Sequence, residues 1–372
     1  MKFCFFGNIS NSLKGQTAGG GELQVALLAK ALAIKGHQVV IIDPYSGESF
    51  VTEEGIKLIN IPGWNKGIMG IRLFQYRIPL LYKLLKEQKA DYYYARMRSY
   101  FHLLSYKAAK KNGGKFIIGL AHDLDVASFR KRFRYEYQPK FSLTKFLALW
   151  LPNDMVFDYL LKKSDYITLQ HTGQMTGRLT QSRKTALFPN IFNYNNLPSI
   201  NNGNGDYYVH VGSMTILKGT ANLFELISIV KKSDKIIIVG QPCDSKSEKI
   251  YGLLKKKENV ILKGRLGHSE TLALIAGAKA LINTSNFEGF PNIFLEAWAS
   301  GVPVISLKVN PGNVINNYGL GICCDGDINK MRDAMEMNRT AAIDKDQLTS
   351  YVSAHHDFNG AGERFLNILK KD

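Results

Sequence analysis

The chain reads as an α/β protein of two doubly wound domains, each a parallel sheet covered by helices. Three observations lead there. Strand-like and helix-like runs alternate from the N-terminus onward, the pattern that builds parallel sheets. The alternation lapses once, after Leu187, and restarts after Asp206. At 372 residues the chain is also too long for one ordinary core, and two domains of roughly 150–200 residues each accommodate it.

The elements follow in order. A short apolar strand at 3–6 leads into a polar, glycine-containing loop that runs to Gly21. Residues 22–35 form a helix in which Leu23, Ala26, Leu27 and Ala31 share a face. Gly36 and His37 end it, and 38–43 is the next strand. Strand, glycine loop, helix and strand in succession make a βαβ opening. Further strands are predicted at 92–95, 115–120 and 166–169. From Phe188-Pro189-Asn190 to Asn201-Asn202-Gly203-Asn204-Gly205 the texture is that of a linker. Beyond it, strands at 207–211, 235–239, 259–262, 280–284 and 303–306 alternate with helices at 221–232, 245–257, 269–278 and 292–300. The predicted domains are therefore 1–187 and 206–354, joined by 188–205, with a C-terminal helix at about 355–372 expected to pack back onto the first. Open α/β sheets bind ligands beyond the carboxyl ends of their strands, so the two domains are expected to face each other across a cleft.

Composition narrows the class. Hydrophobic residues make up 45% and charged residues 21%, which excludes a disordered or fibrous chain. Cys4, Cys243, Cys323 and Cys324 form no CxxC pair and have no His at metal spacing, so they read as reduced thiols of a cytoplasmic protein. The start, Met1-Lys2-Phe3-Cys4-Phe5-Phe6-Gly7, reaches polar residues too soon for a signal peptide. No apolar run approaches the ~18–20 residues of a membrane span. Net charge is +17, and it is unevenly placed: residues 1–185 hold 28 Lys and Arg against 13 Asp and Glu, residues 186–372 hold 20 against 18. A basic first half favours an anionic partner.

The densest stretch runs from Asn286 to Ile305. A strand ends near Thr284, a tight loop turns at Gly289, and a helix begins near Pro291, where proline suits the first helical position. The free N–H groups of a helix start make an anion site. Glu288 lies just before that helix and Glu296 about two turns inside it. Carboxylates so placed accept hydrogen bonds from hydroxyls at either end of an anionic ligand, and a diphosphate carrying a sugar on each side satisfies the layout. Read one at a time, each would be an ordinary surface charge.

This stretch resembles the E-x7-E signature of the retaining glycosyltransferases of family 4, also called group 1, which have the GT-B fold of two Rossmann-like domains. The resemblance implies that Glu296 binds the ribose of a nucleoside-diphosphate sugar and that Glu288 faces the donor sugar near the reacting carbon. The backbone of Gly289, Phe290, Pro291, Asn292 and Ile293 would hold sugar hydroxyls and phosphates. A second match lies at Gly212-Ser213 and Lys218-Gly219, where Lys218 would neutralise the leaving diphosphate. The family has an arginine where this chain has Ser213, and Arg265 is a candidate for the missing charge. Gly240, and Leu266 beside Arg265, fall where the family lines its base pocket.

In the first half, Gly20 and Gly21 open the first long helix and resemble the family's glycine loop toward the donor phosphates. His122, after the strand at 115–120, stands where the family has a histidine that reaches the donor sugar. Its neighbour Asp123 is a candidate either to orient the imidazole or to help hold the acceptor. The run Phe129–Tyr137 interleaves cations with aromatics, and with Lys145–Leu151, Arg72, Arg77, Arg96 and Arg98 it suggests a basic surface for an anionic membrane.

The expected activity is hexosyl transfer with retention, from a nucleoside-diphosphate sugar to a glycan or lipid-linked acceptor in surface polysaccharide or lipopolysaccharide synthesis. The enzyme would be cytoplasmic, peripheral on the inner face of the membrane, with no cofactor and no metal, since no HExxH array occurs and the transfer as read needs none. Two rivals are a nucleotide-sugar epimerase and a non-catalytic protein that binds anionic glycans or nucleic acid. No nucleic-acid recognition module is visible, and none is expected as a partner. Whether the base is uridine, guanosine or adenosine is not written in these residues.

Overall fold

The computed structural model describes residues 1–16, 19–68, 71–138, 141–176, 179, 185–197 and 205–370. The chain divides into two compact units. The first comprises Met1–Phe129, Phe141–Ile191 and Phe358–Asp372, and the second comprises Arg130–Lys140 and Phe192–Asp357.

The first unit's sheet, among the described residues, holds eight strands. They are β1 (Lys2–Phe6), β2 (Gln38–Asp43), β3 (Phe50–Val51), β4 (Lys57–Asn60), β5 (Tyr92–Arg96), β6 (Lys115–Gly119), β7 (Tyr166–Leu169) and β8 (Thr185–Leu187). Their order is β3-β4-β2-β1-β5-β6-β7-β8, parallel except for the β3–β4 pair at one edge. Side chains alternate between faces. Phe3, Phe5, Tyr94 and Ile117 enter one buried cluster, while Cys4, Tyr93, Phe116 and Ile118 enter the other. Both faces are thus covered, which is why these strands read as nearly continuous apolar runs.

The helix Phe358–Leu369 lies in the first cluster through Ala361, Phe365, Leu366 and Leu369. It approaches the helix Gly20–Ile34 closely at Gly362, where a Cβ would press on the Ala31 carbonyl. Phe188, Asn190 and Ile191, at the start of the predicted linker, are buried. Gln24 ties them down by donating to the Ile191 carbonyl at 2.9 Å and accepting from its N–H at 2.6 Å. The remaining linker signal, Asn201, Asn202, Gly203 and Asn204, lies outside the described residues.

The second unit's strands are β9 (Tyr207–Val211), β10 (Lys235–Val239), β11 (Val260–Gly264), β12 (Ala280–Asn283), β13 (Val304–Ser306) and β14 (Gly321–Cys323). They are all parallel, in the order β11-β10-β9-β12-β13-β14. Again two buried clusters face opposite sides: Val209, Ile237, Leu281 and Val304 on one, Tyr208, Ile236, Ile238 and Ile305 on the other. The chain runs outward from β9 to β11, then returns to the other side of β9 at β12. That reversal leaves a crevice at the carboxyl ends of β9 and β12, the topological switch point.

Candidate active site

Two loops leave that switch point and are stitched together. The loop after β9 ends at Gly219, whose φ of +70° a non-glycine residue rarely adopts, and a Cβ there would overlap the Thr284 carbonyl. Asn286 N donates to Leu217 O at 3.0 Å, and its Nδ2 donates to Ile216 O at 3.0 Å. Asn222 Nδ2 donates to Thr284 O at 3.0 Å. The loop after β12 is therefore held against the loop after β9 by backbone and amide groups, and the side chains they carry are brought to fixed positions.

Lys218 and Glu288 meet there. Lys218 Nζ lies 2.5 and 2.7 Å from the two Glu288 oxygens, and Ser285 Oγ donates to Oε1 at 2.9 Å. Glu288 is buried, with 8% of its surface exposed. Past it, the helix Asn292–Ala299 starts after Pro291, which occupies the cap position in an extended conformation. This corrects the expectation that proline takes the first helical position; the difference is one residue. Asn292 and Ile293 supply the first N–H groups of the helix, which have no carbonyl partner within it. Glu296 is the fifth residue of the helix, just over one turn in rather than two. Phe290 is buried against Trp298 and His356, so only its backbone can meet a ligand.

Glu296 has a partner that sequence spacing did not suggest. His268 Nε2 lies 3.2 Å from Glu296 Oε1, and that hydrogen bond raises the His268 pKa above its ordinary value against a smaller opposing effect of desolvation. His210, on β9, is fully buried, and desolvation with Lys218 nearby pushes its pKa down to about 4. It is a neutral imidazole at neutral pH.

Gly212, Gly240 and Gly264 end neighbouring strands and are tied in series, Gly212 N to Val239 O at 3.0 Å and Gly240 N to Gly264 O at 2.7 Å. A Cβ on Gly240 would overlap the Gly212 carbonyl. Ser213 and Arg265 are both exposed, and Leu266 is half-buried. Arg265 follows β11, two strands from β9, so about 10 Å of sheet separates the two strand ends. To replace a cation at Ser213 its side chain must reach along the sheet edge.

The first unit carries the other predicted residues. The helix Gly20–Ile34 is capped by Gly19. The Glu22 carboxylate occupies the space where a Gly19 side chain would begin, so an internal anion stands at a helix start assigned to a diphosphate. Gly21 packs against Met97, leaving no room for a Cβ.

His122 caps the turn Asp123–Asp125, and its Nδ1 accepts from Leu124 N at 3.0 Å. An N–H donor needs a bare nitrogen, so the ring proton sits on Nε2, a buried atom with no partner. The loop is braced by Asp125 Oδ2, which accepts from the N–H groups of Ala121 and His122 at 2.8 and 2.9 Å. Asp123 does not orient His122. Its Oδ1 accepts from Gln174 Nε2 at 3.1 Å and lies 2.9 Å from His171 Nε2, because β6 and β7 are neighbours.

The basic surface is smaller than the charge count implies. Arg96 is buried and donates to Asn190 Oδ1 at 2.8 Å. Arg98 pairs with Asp125 at 3.2 Å and Asp154 at 2.8 Å. Arg132, in the run Phe129–Tyr137, is fully buried. Arg96 and Arg98 turn inward because each finds an acceptor there. Exposed apolar side chains instead cluster at Ile68, Ile71 and Phe74 and at Phe141, Leu143, Leu147 and Leu149. Among the described residues no helix is long and apolar enough to cross a membrane, and no group of His, Cys, Asp and Glu could hold a metal ion.

Comparison with known proteins bears on this geometry. The family model "Glycosyl transferases group 1" matches residues 205–337, and the model "Glycosyltransferase Family 4" matches residues 18–162. No curated protein sequence matches the chain. Among solved structures, sucrose-phosphate synthase from Thermosynechococcus elongatus superposes with a TM-score of 0.77 at 16% identity, covering 100% of this chain and 98% of that one. The HepE protein of Anabaena, in complex with UDP and glucose, superposes at 0.71 and 14% identity, covering both chains fully (100% each). The lipopolysaccharide outer core galactosyltransferase WaaB superposes at 0.64 and 18% identity, covering 99% of each. At such identities these structures establish the fold, two Rossmann-like domains of GT-B type.

Proposed function

The chain belongs to the group 1 and family 4 glycosyltransferases, and on that premise we propose that it moves a hexosyl group from a nucleoside-diphosphate sugar to a hydroxyl of a glycan or lipid-linked acceptor, with retention at the anomeric carbon. One observation carries the donor assignment. Glu288 and Glu296 are both buried, flank the start of one helix at the switch point, and each is paired with a basic side chain, Lys218 or His268. Diphosphate oxygens would take the N–H groups of that helix start and share Lys218, while hydroxyls of ribose and sugar would bond the two carboxylates.

In this reading Lys218 stabilises the charge that develops on the departing diphosphate, and Glu288 holds the donor sugar. The His122 Nε2 proton, with no protein acceptor, is a ready donor to a sugar oxygen. These roles require no metal, so turnover should survive EDTA. The match to UDP-bound HepE and to WaaB makes UDP the first nucleotide to try and a surface glycan the first acceptor class. The basic first half and its exposed apolar clusters support attachment to an anionic membrane. A thermal-shift panel of UDP, GDP and ADP tests the donor site: a nucleotide at 100 times its dissociation constant adds about 2.7 kcal/mol. No shift with any of them would sink the assignment.

A further inference from the structure

His268 is the first residue of the helix His268–Ala276, capped by Gly267. A cation at that place opposes the helix dipole, so helix formation does not ask for one. Across from it Glu296 is 9% exposed. His268 holds Oε1 at 3.2 Å, and Oε2 takes no bond from any described residue yet is not sealed from solvent. A buried carboxylate with one oxygen fixed by an imidazole and the other open is a built acceptor for a ligand hydroxyl.

We propose that His268 is a positioning residue for the nucleotide: it fixes Glu296 so that the open oxygen accepts from a ribose hydroxyl, and its positive charge tightens the binding of an anionic nucleotide. This rests on the donor-site reading above. The charge of His268 is set locally. Glu296 faces it from the neighbouring helix and raises its pKa. On its own helix, Glu270 is engaged with Gly267 N at 3.0 Å, and Arg265 precedes it. From β9, Tyr207 has its pKa raised by burial and His210 is neutral, so neither changes charge near neutrality. Nucleotide affinity should therefore be highest where His268 is protonated and fall as pH rises through its elevated pKa.

The test measures UDP binding calorimetrically from about pH 6 to about pH 9, the range in which a perturbed histidine titrates, for the wild type, His268→Gln and His268→Ala. His268→Gln keeps a donor but no charge, and it also subtracts the titration of UDP itself. His268→Ala should weaken UDP about tenfold near neutrality, the size of one charged hydrogen bond. His268→Gln should recover part of that loss and show no residual pH dependence beyond that of UDP. If the wild type binds UDP and both variants match it at every pH, the positioning role is wrong while the donor site stands. A pH dependence that persists in His268→Gln would also overturn the role. If the wild type binds none of UDP, GDP and ADP, the donor-site reading itself fails. Melting temperatures of all three proteins separate lost binding from lost folding.

Discussion

Lys218 and Glu288 form a two-point contact, with Nζ at 2.5 and 2.7 Å from the two carboxylate oxygens. The resemblance to the family separates their tasks, lysine for the diphosphate and glutamate for the sugar. The structure joins them, so each fixes the orientation of the other before any substrate arrives. A diphosphate that binds must share the lysine with the glutamate.

Replacing Lys218 by Met leaves Glu288 buried beside Ser285 without its cation. Breaking a fully buried pair costs about 3–5 kcal/mol, and the partial exposure of Lys218 reduces this to about 2. Adding Glu288→Gln to that variant should restore most of the stability, since no charge is then stranded. Turnover should fall about 100-fold or more in either single variant and should not recover in the double. Chemical denaturation and nucleotide release measure the two effects separately.

His122→Asn keeps an oxygen that can accept from Leu124 N, as His122 Nδ1 does now, but loses the unpartnered Nε2 donor. The melting temperature should stay near the wild-type value, and UDP affinity should be unchanged. Turnover should drop about 100-fold. A variant with full turnover would remove His122 from the site.

Gly219→Ala puts a Cβ into the Thr284 carbonyl at a left-handed φ of +70°. The conformation alone costs about 1–2 kcal/mol, and the overlap adds to it. The loop bearing Lys218 must shift, so this variant should lose both thermal stability and nucleotide binding. Gly36→Ala, also left-handed but with open space around it, should lose only the smaller stability increment.

Stability should fall in acid. His102 and His210 are fully buried, and desolvation lowers each pKa to about 4, below the 6.5 of an unfolded histidine. The unfolded chain therefore binds more protons between those values, and stability is complete above about pH 6.5 and declines as pH falls toward 4. Urea titrations across that range should show the midpoint dropping. His102→Asn or His210→Asn should flatten the slope by about half.

Flotation with phosphatidylglycerol-containing vesicles tests the membrane surface. Phe74→Asp and Leu147→Asp, both at exposed apolar positions, should weaken binding together with raised salt. Binding that ignores both substitutions would place the contact elsewhere, and a wild type that never floats would end the idea.

Much was legible in residue order. Alternating apolar runs announced two parallel sheets because strands buried on both faces must be apolar throughout. The signature from Glu288 to Glu296 was legible because a strand end, a turn at Gly289 and a helix start are local events. The short strands β3, β4 and β8 were not, since two to four residues carry too little periodicity. His268 carried no signal either: it lies 28 positions before Glu296, and only the packing of two helices makes them neighbours.

What the sequence determined by itself is the sheet-and-helix plan, the family, and the loops that carry the acidic pair. What only the tertiary structure decided is who partners whom: Lys218 with Glu288, His268 with Glu296, His171 with Asp123, and Arg96 and Arg98 with buried acceptors instead of solvent. The physical reason is that periodicity reports which face a residue takes. A charge's partner is set by strand order, which brings distant loops to one switch point.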